Sequence, residues 1–148
     1  MIFGNPYEFA VLIEYVPELS TETFRYGLFH FMLDGKMFPD ELVTSTLDVD
    51  LRDFLGYSAL VSPPENCEIF KMSKEEAFNL MFELAYPDYH DDVENLDGIG
   101  NIFLYKASTV NIEDFRSHVF CVACNDTVRI IGAKMARLLP GPDDRNFW

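Results

Sequence analysis

Residues 27–38 read GLFHFMLDGKMF, two apolar runs separated by Asp34-Gly35. That dipeptide is the strongest short-range hairpin signal, because a two-residue turn needs positive φ at its centre and Asp and Gly tolerate it. The two runs are therefore expected to pair antiparallel, with Pro39 stopping the second, since proline cannot donate to a ladder. Before the hairpin, residues 9–16 put Phe9, Val11, Ile13 and Tyr15 on one face and Glu14 on the other, the period of a strand. Far along the chain, HVFCVACNDTVRIIGAK (residues 118–134) predicts two more strands joined at Asn125-Asp126, a pair that accepts left-handed backbone. NIFLYKAS (residues 101–108) also reads as a strand.

Two helices are expected between these strands. Leu47, Val49 and Leu51 alternate, then Leu51, Phe54 and Leu55 take helical spacing, so a strand or turn leads into a short helix that Pro63-Pro64 ends. Ser73 with Glu76 makes a capping box before Ala77, Leu80, Met81, Leu84 and Ala85, which lie on one helical face, and Pro87 closes that helix. The pattern predicts an α+β fold: one domain over residues 1–148, a mostly antiparallel sheet with two helices packed on one face. Residues 140–148, PGPDDRNFW, form a proline-rich tail too short to read as a strand, with acidic residues and an aromatic end.

Half the residues are hydrophobic (49%), with 14 Phe and 7 Tyr, a composition that excludes general disorder. Against 11 basic residues stand 25 acidic ones, a net charge of −14. Such a field repels nucleic acid and anionic membranes, which are excluded as partners, and speeds encounter with basic proteins. The first residues, MIFGNPYEFAVLIEYV, have no basic stretch, and Glu8 and Glu14 break the apolar run, so neither a signal peptide nor a membrane span is expected. The expected location is the cytoplasm. Three cysteines, an odd number, fit a reducing compartment and predict free, mostly buried thiols.

The densest charge lies from Asp88 to Gly98, DYHDDVENLDG, with five carboxylates, one imidazole and no lysine or arginine. Calcium does not fit it: setting Gly98 at the sixth position of an EF-hand loop puts Val93, which has no ligand oxygen, at the first. Zinc or redox chemistry at Cys121 and Cys124 would need a tight turn or a helix start. In a strand, residues three apart point to opposite faces, and only Cys67 is left to join them. His90 beside Asp91 or Asp92 could form a dyad, although such carboxylates mainly hold an imidazole protonated. Phosphate-loop, dinucleotide, zinc-protease and nucleophile-elbow motifs are all missing. No catalytic residue, metal site or cofactor is therefore expected, with a hydrolase or metal-dependent enzyme built on the His90 loop as the alternative.

From Glu75 to Tyr105 the chain has eight acidic residues and no lysine or arginine, with Tyr86 and Tyr89 among them. Aromatic anchors amid one sign of charge suit a protein interface, the charges steering and the rings holding. The expected contacts are Asp88, Tyr89, Asp91, Asp92, Glu94 and Asp97, with Asp143, Asp144 and Trp148 of the tail as a second surface. An acidic mimic of nucleic acid, aimed at a DNA-binding protein, shares the same physics.

The opening MIFGNPYEFAVLIEYVPE, the hairpin GLFHFMLDGKMFP and the later VRIIGAK resemble the immunity protein 42 family, immunity partners of bacterial polymorphic toxins. The resemblance extends over most of the chain and is strongest in the first forty residues and in residues 120–134. It implies a small cytosolic protein that binds and blocks one cognate toxin domain, of the kind delivered by contact-dependent inhibition or type VI systems. It brings no catalytic residues. Many such toxins are nucleases or other basic, phosphate-binding domains, which an acidic surface can occlude.

Overall fold

A computed structural model describes residues 1–87 and 103–135, together with the backbone of Arg145–Phe147. Its elements run β1 (Ile2–Asn5), β2 (Phe9–Tyr15), a 3-10 turn (Pro17–Leu19), β3 (Tyr26–Leu33), β4 (Lys36–Phe38), β5 (Ser45–Thr46) and α1 (Leu47–Tyr57). There follow α2 (Cys67–Lys71), α3 (Lys74–Ala85), α4 (Val110–Asp114), β6 (Ser117–Cys124), β7 (Thr127–Met135) and β8 (Arg145–Phe147). The α+β class and antiparallel pairing are those expected from the sequence. The strands divide into two sheets, one ordered β1-β2-β3-β4 with β5 also on β3, the other β6-β7-β8.

Both turns form where the sequence places them. Asp34 and Gly35 have φ of 52° and 73°, and Leu33 pairs with Lys36 across them. Asn125 has φ of 55° between the paired Cys124 and Thr127. The capping box of α3 is complete: Glu76 N–H donates to Ser73 Oγ at 3.2 Å, and Ser73 N–H donates to Glu76 Oε2 at 3.1 Å.

The second sheet lies in the middle of the molecule. Val119 and Cys121 join the core of Val11, Phe29, Phe31 and Leu33 from the first sheet. On the opposite side Phe120, Val122, Ile131 and Ala133 pack against Ile69 of α2 and Phe78 and Met81 of α3. At Gly132 a Cβ would come within 3.2 Å of both Leu33 and Phe38, so glycine lets the sheets approach. Beside β6 and β7, α1 and α4 cover the rest of the first sheet's inner face: Phe54 meets Phe29 and Phe31 at 5.9 Å, and Ile112 joins the same core. Asp50 of α1 is fully buried, accepting from Thr109 Oγ1 at 2.6 Å and Asn111 Nδ2 at 2.9 Å at the start of α4.

Three expectations need correction. NIFLYKAS does not supply a ladder strand among its described residues. Lys106 N–H turns back to Phe103 O, and Lys106 makes only an isolated bridge to Phe120. The segment lies beside β6 as irregular chain, through Ala107 N–H to Val119 O and Cys121 N–H to Tyr105 O. The tail does contribute a strand, β8, because β7 offers it an open edge and both prolines precede the paired residues. Cys67 and Cys124 are joined as a disulfide, so only Cys121 is a free thiol. Pro64 and Asn66 bond to the backbone of Ala123, which carries Cys67 to the end of β6, a contact across a separation of 57 residues.

Candidate functional site

The expected contacts Asp88, Tyr89, Asp91, Asp92, Glu94 and Asp97 lie outside the described residues, as do His90 and Asp143, Asp144 and Trp148. The structure does describe the residues on either side of the acidic segment. On one side, Tyr86 caps α3 with its N–H on Phe82 O, and its ring packs against Phe82 at 4.9 Å and His118 at 5.4 Å. On the other, Phe103 meets Tyr86 edge-on at 6.5 Å. One aromatic cluster therefore ties both flanks to β6.

Beneath this cluster sits Glu113 of α4. Its Oε2 pairs with Lys106 Nζ at 2.9 Å, and Ser108 Oγ donates to its Oε1 at 2.8 Å. Burial pushes the Glu113 carboxyl above the usual range, and the Lys106 charge only partly offsets it. Burial likewise raises the Tyr86 phenol, with the Glu113 carboxylate adding to the effect. Lys106 Nζ also lies 4.9 Å from the centre of the Phe103 ring. Ion pair, hydroxyl and ring together fix the turn through which the chain returns from the acidic segment.

A cleft of about 400 Å³ opens beside that turn, lined by Asp53, Gly56, Tyr57, Phe103, Lys106 and Val110 among others. Tyr57 is 77% exposed, Val110 48% and Phe103 43%. The C-terminal end of α1 forms one wall. A site of this kind suits an inserted side chain, since apolar and aromatic area surrounds few charges. Among the described residues no group of three or more His, Cys, Asp or Glu side chains is arranged to hold a metal ion. Nor is any helix there long and apolar enough to cross a membrane.

Sequence reading missed this cleft. Its residues come from two stretches some fifty positions apart, and neither carries a local motif. Tyr57, an aromatic just after a helix glycine and before the Pro63-Pro64 stop, was the one local signal available.

The model of the family described as Immunity protein 42 matches residues 1–146. The chain belongs to the immunity protein 42 family. Membership gives it a toxin-neutralising role and agrees with the resemblance read from its opening, its hairpin and VRIIGAK. The fold is similar to the crystal structure of CdiI from Burkholderia dolosa, with a TM-score of 0.76 and 24% identity, over 99% of this chain and 88% of that one. At that identity the likeness speaks for the shared fold. No curated protein matches the sequence.

Proposed function

We propose that this immunity protein binds one cognate toxin domain stoichiometrically and neutralises it by occlusion, through an acidic surface, in the cytoplasm. Family membership over residues 1–146 is the observation that carries this reading. The charge of −14 supports a basic partner, and a nuclease is the toxin class whose phosphate-binding surface such a protein would cover. The name CdiI of the structural relative supports contact-dependent inhibition as the setting. Inhibition of this type involves no turnover and no cofactor. The proposed contacts are Asp88, Tyr89, Asp91, Asp92, Glu94 and Asp97, with Asp143, Asp144 and Trp148 as a second surface. About 800 Å² per partner suffices for a stable complex.

Co-expression tests the role and calorimetry tests the surface. Cells making the toxin domain should survive only when this chain is present. The purified pair should bind one to one, more tightly at low salt. Changing Asp91, Asp92 and Glu94 together to lysine should weaken binding at least a hundredfold at low salt and less at high salt. An unchanged affinity would move the interface away from the acidic segment, and a chain that protects no cell would remove the immunity role.

A further inference from the structure

We propose that the cleft at the C-terminal end of α1 receives an arginine side chain of the toxin, stacked on Tyr57 and paired with Asp53. This inference deepens the immunity reading and rests on it.

The helix end supplies the first reason. A helix C-terminus carries partial negative charge on its last carbonyls, and Lys, Arg or His usually answers it. No basic residue lies in the last turn of α1. The following backbone donors are engaged elsewhere: Ser58 N–H reaches back to Asp53 O, Ala59 N–H goes to Lys106 O, and Val61 N–H to Ser58 O. Leu60 N–H bonds Ser58 Oγ at 3.3 Å. None of these donors closes on the carbonyls of residues 54–57, which face the end where the cleft opens.

Charge in the cleft points the same way. Among the described residues Lys106 is the cation in the lining, and Glu113 already neutralises it at 2.9 Å. Asp53 is the carboxylate that the described lining leaves to answer a new charge. Its neighbour Arg52 stands 3.6 Å away on an exposed side chain, a pairing that water screens and a better-placed cation can displace. An anionic group would meet both Asp53 and the helix end unfavourably. An apolar group would desolvate Asp53 with only the exposed Arg52, 3.6 Å away, to offset the cost.

Guanidinium fits better than ammonium. It is planar and can stack on the exposed face of Tyr57 while its edge donors reach the carboxylate and the helix carbonyls. Exposed Tyr57, Phe103 and Val110 around one partly buried charge, Asp53, make the usual arrangement of an interface hot spot, aromatic area excluding water from an ion pair.

The test uses the toxin domain against which the full chain protects cells, with affinity measured by calorimetry at low and high salt. The variants are Tyr57→Ala, Asp53→Asn and Gly56→Lys, each checked by circular dichroism. A side chain at Gly56 meets nothing within 4 Å, so a lysine there fits the fold and places a resident cation at the cleft. Each variant should weaken binding at least tenfold, and the Asp53→Asn loss should shrink at high salt. One toxin arginine, changed to alanine, should cost little further once Asp53 is already Asn. Affinities within twofold of the parent for all three variants, or no toxin arginine coupled to Asp53, would overturn the proposal and leave the immunity role standing. A parent chain that neither protects nor binds would bring down both.

Discussion

β3 and β6 are both eight-residue strands, yet they live in different surroundings. Every residue of β6 except His118 is buried, whereas β3 leaves Tyr26, Leu28 and Met32 half exposed. Layering is the cause. β6 lies between the first sheet and the helices α2 and α3, so both its faces meet apolar side chains. β3 has one face in the core; on the other, residues 41–43 cover His30. A strand packed on both faces reads as a continuous apolar run, as SHVFCVAC does. The molecule's stability should therefore be concentrated around β6, while the open face of the first sheet contributes less.

That contrast can be broken by truncation. Phe120 is fully buried between α3 and the second sheet, 5.3 Å from Phe78, and Phe120→Ala should cost about 3–5 kcal/mol in urea unfolding. Leu28→Ala on the open face of β3 should cost about 1 kcal/mol, since only part of its area leaves water. Equal losses would show that the open face is covered in solution. Next in size is the disulfide, which ties α2 to the end of β6. Cys67→Ser should remove about 2–4 kcal/mol, and a reductant should lower the parent by the same amount. No difference between oxidised and reduced parent would mean that the hydrogen bonds of Asn66 and Ala123 hold that junction unaided.

How far the sequence could be read follows the range of the interactions. The Asp34-Gly35 and Asn125-Asp126 turns and the Ser73 capping box are local, set by residues two or three positions apart, and all were legible. β1 escaped because IFGN is short and carries both its apolar side chains at the exposed edge. α2 and α4, five residues each, are too short for a periodicity to register. The partner of Cys124 was hidden for another reason: the CVAC spacing draws attention to Cys121, while the geometry that selects Cys67 arises only when residues 64–66 bond along β6. The Tyr57 cleft is likewise a product of two distant stretches. By contrast, the charge that favours a basic partner is a sum over residues, and counting alone recovers it.

The smallest effect sharpens the comparison most, because the two regions should respond to pH with opposite sign. His30, buried on β3, has its pKa held below the ordinary 6.5 by desolvation, with the Glu41 carbonyl and Asp50 opposing. The folded state binds its proton less readily than the unfolded chain. His30 therefore contributes stability above about pH 6.5 that is lost as pH falls through the folded value. Glu113, beside β6, has its pKa raised above the ordinary 4.5 by burial. Folding there favours the proton, so its contribution is fully present below about pH 4.5 and lost as pH rises through the folded value. Unfolding free energies between about pH 4 and 8 should accordingly lose part of their fall on the acid side in His30→Gln and part of their fall on the neutral side in Glu113→Gln. Slopes matter here and not absolute stability, since Glu113→Gln also removes the charge that pairs with Lys106. Should both variants keep the parent's slopes, neither group would change protonation on folding, and the opposition between the two regions would be one of packing alone.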